Sequence, residues 1–304
     1  MLDSSAARRG STTTRRSLTM MSRLILAIAA AALAAMAHAQ PATGTLDKIA
    51  KAGAIKLGYL PDSVPFSYAD NDKVPSGYSV DLCKRVAAGI QQQLALQKLE
   101  LEWVPITLAN RYEMLNAGRI DLECATSTNT ISRQKIVDFS LMTWVDGGSF
   151  VTNGTTPAKG LADLAGKKVG VVHGTTTERA LRAAMERAAV RFDVVPVSAH
   201  VEGMQMLHDG KIDAYAADQT ILVGLIVASG DQIVVRMAEQ NFSFEPYGLA
   251  LRRNDADFKQ AVNRVLAQLY RTGEVNSIYD RWFGKLGKPS QLLAAMFILN
   301  SLPE

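Results

Sequence analysis

Within Tyr78–Leu94, apolar residues fall at Val80, Cys83, Val86/Ala87, Ile90 and Leu94. This i, i+3, i+4 spacing predicts an amphipathic helix with one stripe turned to a core. Ala54–Tyr59, just upstream, is an apolar run of strand length. Downstream, Leu99, Leu101 and Trp103 alternate with Glu100 and Glu102, the two-residue period of a half-buried strand. A short helix over Arg111–Ala117 and a strand over Asp121–Ala125 come next, and the strand runs into the polar loop Thr126–Thr130. A second series begins after Phe150, with strand Lys168–Val172, helix Thr176–Ala189, strand Phe192–Val197 and helix Val201–Asp209. Strand Asp213–Ala217, helix Gln219–Ser229 and strand Gln232–Arg236 continue it. The chain then returns as strand Tyr247–Arg252, amphipathic helix Ala256–Thr272, helix Val275–Phe283 and a tail.

Strand–helix alternation of this kind implies an α/β protein built on parallel, helix-covered sheets, with ligand sites at the carboxyl ends of strands. Two series predict two lobes. An internal echo supports this: Leu115–Asp121 and Leu207–Asp213 share the pattern L-x-x-G-[R/K]-I-D. Each copy places glycine at a helix end just before a strand, a joint on which unrelated helix–strand connections also converge.

Charge narrows the class of partner. The chain has 33 Lys+Arg and 29 Asp+Glu, a formal +4. Its first 39 residues hold Arg8, Arg9, Arg15, Arg16 and Arg23 against Asp3 alone, which leaves 28 charges of each sign in residues 40–304. Nucleic acid binding, which needs basic residues gathered on one face, is therefore not expected. The basic start precedes an uninterrupted apolar run, Leu24–Ala37, and then Ala37-His38-Ala39, the n-region, h-region and cleavage site of a signal peptide. The run is shorter than the roughly 20 residues a spanning helix needs. Residues 1–39 are read as a signal peptide cleaved near Ala39. Arg15-Arg16 has a twin-arginine look, whereas a start at Met20 or Met21 would leave a short Sec-type signal, the favoured reading. No cysteine stands at the cleavage point, so a lipid anchor is not indicated.

Catalytic and cofactor motifs are missing. His173, His200 and His208 form no H-E-x-x-H, no G-x-S-x-G elbow occurs, and no G-x-G-x-x-G follows a strand. Gly160–Lys168 has the wrong spacing for a phosphate loop and reads as a strand-entry turn. No metal or cofactor is expected. Cys83 and Cys124 lack C-x-x-C spacing; they are either one disulfide or, as favoured here, buried free thiols.

Polar residues at strand ends remain. Thr126-Ser127-Thr128-Asn129-Thr130-Ile131-Ser132-Arg133 offers hydroxyls, backbone groups and a guanidinium, a set suited to a carboxylate. Gly174-Thr175-Thr176-Thr177-Glu178 sits where a strand gives way to a helix N-terminus, which favours anions. Asp218 ends its strand as a lone acid able to pair with an ammonium.

In this order, these residues resemble the solute-binding proteins of polar amino-acid ABC importers, bacterial family 3, over about residues 46–285. The markers are Pro65-Phe66-Ser67-Tyr68, Gly77-Tyr78-Ser79-Val80-Asp81-Leu82, Leu115-x-x-Gly118-x-x-Asp121, Thr128-x4-Arg133-x5-Phe139-Ser140, Asp163-Leu164-x-Gly166-Lys167-x-Val169-Gly170, Gly174-Thr175-Thr176-x-Glu178, Gly210-x-x-Asp213-Ala214-x3-Asp218 and Tyr247-Gly248. Ser79 stands where an acid is usual, at a position read as helix surface. The resemblance implies a two-lobed type II periplasmic-binding-protein fold with a hinge and an interlobe ligand cleft. Residues 40–146 and 243–304 would form one lobe and residues 147–242 the other. It implies a monomer in the periplasm that delivers a free amino acid to membrane permease subunits, with Arg133 on the α-carboxylate beside Thr128 and Thr175. Asp218 would take the ammonium with Thr126 and Thr128, and Thr176 lies in the same marker as Thr175.

A narrower resemblance is to the glutamate/aspartate-binding branch, through Pro105-Ile106-Thr107-x-x-Asn110-Arg111, Asp121-Leu122-Glu123-Cys124, His200 and the tail with Met296-x-Ile298-Leu299. It implies that Arg111 and His200 lie near the ligand side chain. Leu60 and Leu108 depart from that branch, which tends to place Arg and Ser there, so a longer, partly apolar or neutral-polar side chain competes with glutamate. The alternative is a periplasmic cyclohexadienyl/arogenate-type dehydratase on the same scaffold, for which Glu178 or Glu245 would supply a carboxylic acid with a raised pKa.

Overall fold

The computed structural model describes residues 44–154, 158–230 and 235–303. The expected signal peptide and its cleavage site lie outside these residues, as does most of the expected strand Gln232–Arg236. The first part of the chain runs α1 (Thr45–Ala52), β1 (Ala54–Tyr59), β2 (Asp62–Ser63), β3 (Ser67–Ala69), β4 (Pro75–Ser76), α2 (Tyr78–Gln93), β5 (Glu100–Pro105), α3 (Arg111–Asn116), β6 (Leu122–Glu123) and β7 (Asp138–Asp146). The middle part runs β8 (Gly148–Asn153), β9 (Lys168–Val172), α4 (Thr176–Arg187), β10 (Asp193–Val197), α5 (His200–His208), β11 (Ala214–Asp218), α6 (Gln219–Ser229) and β12 (Val235–Met237). It ends with β13 (Glu245–Leu251), α7 (Ala256–Thr272), α8 (Glu274–Phe283) and α9 (Gln291–Leu299).

Two five-stranded sheets form, in the orders β5-β1-β6-β13-β7 and β10-β9-β11-β8-β12, with a small sheet β2-β3-β4 beside the first. The two large sheets are mixed, which corrects the parallel expectation. β1 pairs parallel with β5 and β6, and β9 pairs parallel with β10 and β11, but β13 and β8 run antiparallel to their neighbours. The cause lies in the connections: βα units give parallel pairs, whereas β7–β8 and β12–β13 are the two stretches where the chain passes from one sheet to the other. A strand that crosses re-enters against the direction of the sheet it joins. At the crossing, Glu245 on β13 sits in register with Asp146 on β7.

The repeated L-x-x-G-[R/K]-I-D segment is one device used twice. Gly118 and Gly210 both adopt left-handed backbone, φ 66° and 67°, after α3 and α5. The Asp121 carboxylate then accepts the Lys56 N–H at 2.9 Å, and the Asp213 carboxylate accepts the Lys168 N–H at 2.7 Å. Each acid thus locks its own strand to a parallel partner and fixes the level at which the strand's far end, bearing polar residues, emerges.

Two expectations are corrected here. Cys83 on α2 and Cys124 after β6 are bonded to each other, with their Cα atoms 5.9 Å apart. Helix α2 lies over the sheet, so residues 41 apart in sequence become neighbours, a proximity that spacing alone does not show. Ser79 is buried, not on the surface, and its hydroxyl donates to the Ala125 carbonyl at 2.8 Å. It tethers α2 to the strand end that opens into the Thr126 loop.

Candidate functional site

The Thr126–Thr130 loop is held by β13. The Gly248 N–H donates to Ser127 O at 3.1 Å, the Asn129 N–H donates to Pro246 O at 2.7 Å, and Thr128 forms a bridge with Tyr247. Arg133, at the start of a short 3-10 turn (Arg133–Lys135), folds back so that Nη1 donates to Thr128 O at 3.0 Å. On the other side, Thr175 caps α4, its Oγ1 accepting the Glu178 N–H at 3.0 Å. Asp218 ends β11 and begins α6.

These pieces face one another. Leu108, Arg111, Thr126, Thr128 and Arg133 from the first sheet's loops enclose a single cavity of about 30 Å³ with Thr175, Thr176, His200 and Asp218 from the second. Nine of the ten residues expected to contact ligand therefore meet at one point. Thr177 and Ile221 join them. Leu60 lies elsewhere: it is buried among Ile106, Leu115 and Ile120 and lines an adjoining cavity of about 300 Å³, which Leu108 also lines. Thirty cubic ångströms is room for about one water, so an amino acid enters only if the two sides part.

Several bonds join the sides across this gap. Thr128 Oγ1 lies 3.1 Å from Thr176 Oγ1, the Tyr247 hydroxyl donates to Asp218, and the His200 N–H donates to Asp62 at 2.9 Å. Helix α6 also approaches the Val64–Pro65 segment at Gly224, where a Cβ would stand 2.3 Å from Val64 O. Gly224→Ala is expected to hold the two sides apart and weaken ligand binding several-fold. Solution scattering with saturating ligand checks this, and a variant that closes and binds like the wild type would refute it.

Asp218 is not a lone acid, which corrects the sequence reading. Thr177 donates to its Oδ1 at 2.6 Å and Tyr247 to its Oδ2. Asp146 lies on the far side of the Tyr247 hydroxyl, 3.5 Å from it, and accepts the Thr220 N–H. Glu245, across from Asp146, accepts from Thr128 Oγ1 at 2.8 Å. Burial, then the Glu245 charge, pushes Asp218 up to about 6 despite the Thr177 and Tyr247 bonds and the Arg133 charge. Burial, then the Asp218 charge, pushes Asp146 up to about 8. Asp146 and Asp218 meet at the same Tyr247 hydroxyl, so the charge on either opposes ionisation of the other.

Two consequences follow for pH. An ammonium ligand needs ionised Asp218, so affinity is expected to fall about tenfold between pH 7 and pH 5, which titration calorimetry at several pH values would read. A flat profile would mean Asp218 does not meet a charge. For Asp146, the folded-state pKa is raised above the unfolded value of a carboxylate. Its contribution to stability is therefore full below the unfolded pKa and is lost as pH rises through about 8. Asp146→Asn should raise the melting temperature at pH 9 and change it less at pH 5.

The cationic end is also crowded. Arg111 and Arg133 lie 4.8 and 5.5 Å from the centre of the Tyr112 ring, whose hydroxyl is 3.0 Å from Ser127 Oγ. The ring faces both guanidiniums, a favourable cation–π arrangement. Burial, followed by the Arg111 charge, lowers the Arg133 pKa. Arg111 Nε is 3.7 Å from Glu123 Oε1, yet its Nε and Nη1 have no hydrogen-bond partner although buried. Burial raises the Glu123 pKa against the pull of Arg111 and of the Ser127 hydroxyl. His200 Nδ1 is 2.8 Å from the Tyr215 hydroxyl, and burial lowers its pKa. Sequence reasoning gave no role to Tyr112, Glu123, Asp146 or Ile221. Tyr247 and Glu123 stood inside quoted motifs, and that was the only signal for either. Among the described residues, no group of three or more His, Cys, Asp or Glu is placed to hold a metal.

Two mixed sheets joined by two crossing strands, with an arginine, an acid and a ring of hydroxyls between them, define a two-lobed binding protein for a small zwitterion. The chain belongs to the bacterial extracellular solute-binding proteins, family 3, whose family model matches residues 55–285. It is 37% identical over 265 residues to an L-glutamate/L-aspartate-binding protein of Pseudomonas aeruginosa, a match covering 86% of this chain and 87% of that one. It is 34% identical over 263 residues to a glutamate/aspartate import solute-binding protein of Salmonella typhimurium, covering 85% and 87%. Among solved structures, it is similar to an ancestral arginine-binding protein bound to glutamine, with a TM-score of 0.68 and 29% identity over 76% of this chain and 98% of that one.

Proposed function

We propose that this protein captures a free amino acid of the glutamate/aspartate type in the periplasm and delivers it, as a monomer, to the permease subunits of an ABC importer. Arg133 holds the α-carboxylate with the Thr128 and Thr175 backbone N–H groups. Asp218 takes the α-ammonium with the Thr126 carbonyl and the Thr128 hydroxyl, and Arg111 and His200 meet the side chain. The observation that carries this reading is that Arg133 and Asp218, both buried, line one small cavity from opposite sheets. Neither half-site is complete alone, so a zwitterion favours the closed arrangement. Residues 40–146 and 243–304 are assigned to one lobe and 147–242 to the other, with the hinge at the two crossing strands. Residues 1–39 direct export.

The dehydratase alternative asks for a named acid with a raised pKa. Glu178, although burial acts to raise it, is lowered by the Gly174 N–H and by Arg182, and so is ionised and bound to its own helix. Calorimetry with a panel of amino acids tests the proposal. Absence of binding at micromolar or tighter affinity for every member would end it, and conversion of prephenate or arogenate would put the enzyme in its place.

A further inference from the structure

Leu108 lines both the polar cavity and the larger one beside it. In the larger one, Leu60, Pro61 and Ile106 come from one lobe and Ala199 and Val201 from the other, lining about 300 Å³ of mainly apolar space that opens to solvent at Val201. Asp62 lines the same space and already accepts the His200 N–H. Arg111, which lines the polar cavity, presents two buried N–H groups without acceptors, while Glu123 lies against the same guanidinium. The end of the site that would receive a ligand side chain therefore offers hydrogen-bond donors whose positive charge is already matched. Beyond them lie apolar walls and one further acid.

A second carboxylate there meets an Arg111 whose charge Glu123 already offsets, so it gains less than it would from an unmatched cation. The combination suits a neutral carbonyl, which needs donors only, followed by an apolar group. We infer that the ligand class extends to γ-N-alkylamides of glutamate: the carbonyl accepts from Arg111, the amide N–H faces Asp62, and the alkyl group fills the cavity between Leu60, Leu108 and Val201. This rests on the amino-acid reading above, since the α-carboxylate and ammonium stay with Arg133 and Asp218. Leu60 and Leu108 thereby act as specificity-determining residues.

The test is calorimetry of the purified protein with glutamate, glutamine and γ-N-ethylglutamine. The ethylamide is expected to bind about tenfold tighter than glutamine, the effect of burying two further carbons. Val201, 61% exposed, can be enlarged without disturbing the core. Val201→Trp, which fills the cavity from its rim, should remove the ethylamide's advantage and leave glutamine binding unchanged. Leu60→Arg should reverse the order in favour of glutamate. If glutamate and glutamine bind while the ethylamide binds more weakly than either, the inference is wrong and the amino-acid reading stands. If none of the three binds, the inference falls, and the full amino-acid panel decides the reading on which it rests. An ethylamide advantage that survives Val201→Trp would also overturn the assignment to this cavity.

Discussion

Arg133→Ala is expected to abolish amino-acid binding, and Asp218→Asn to do nearly the same. Each side chain is buried, and each lines the one small cavity from its own sheet, where it would pair with one charge of a zwitterion. Removing one partner leaves the other charge dehydrated and unmatched, which costs roughly 3–5 kcal/mol, or more than a hundredfold in affinity. The two variants should differ in what they do without ligand. Arg133 also donates to Thr128 O, so its loss frees the loop, and a modest fall in melting temperature is expected. Asp218→Asn removes one member of a crowded acidic group and should stabilise the ligand-free protein at neutral pH. Calorimetry beside thermal unfolding separates the effects. Wild-type affinity in either variant would show that the zwitterion is held elsewhere.

Loss of the Cys83–Cys124 bond is expected to lower stability by an amount comparable to emptying a large core side chain. The bond closes a loop spanning 41 residues. On the chain-entropy model, opening such a loop costs roughly 4 kcal/mol, a model-dependent figure. The site should feel it too. Cys124 immediately precedes Ala125 and Thr126, and α2 is tied to the same stretch by Ser79, so freeing this bond loosens one wall of the cavity. Cys83→Ala/Cys124→Ala, compared with the wild type in urea, should show a lower unfolding midpoint and weaker binding. Equal midpoints would mean the link adds nothing to the fold.

Regular periodicity made much of the architecture legible. Lys168–Val172, Gln219–Ser229 and Ala256–Thr272 have in the structure the bounds their patterns predict, because each is bounded by a clear polar or glycine break. The short β2, β3 and β4 and the crossing strands β7 and β8 were not found. They are too brief or too mixed in character to carry a period, and they exist because of what they pair with. The site divides in the same way. Hydroxyls and charges at strand ends could be read from order along the chain. Tyr247 between Asp218 and Asp146, Glu123 against Arg111, and Tyr112 facing two arginines could not, since each is a contact between distant segments. Cys83 and Cys124 failed for that reason as well.

A cavity of about 30 Å³ has no room for an amino acid, so loading and unloading both require the two sides to part. Release then includes an opening step, on the microsecond-to-millisecond scale of domain motion, as well as the breaking of bonds to the cargo. Dwell time is therefore adjustable at the two crossing strands as well as at the wall residues. On the function proposed above, a permease that holds the lobes apart would empty the site without competing for the molecule in it.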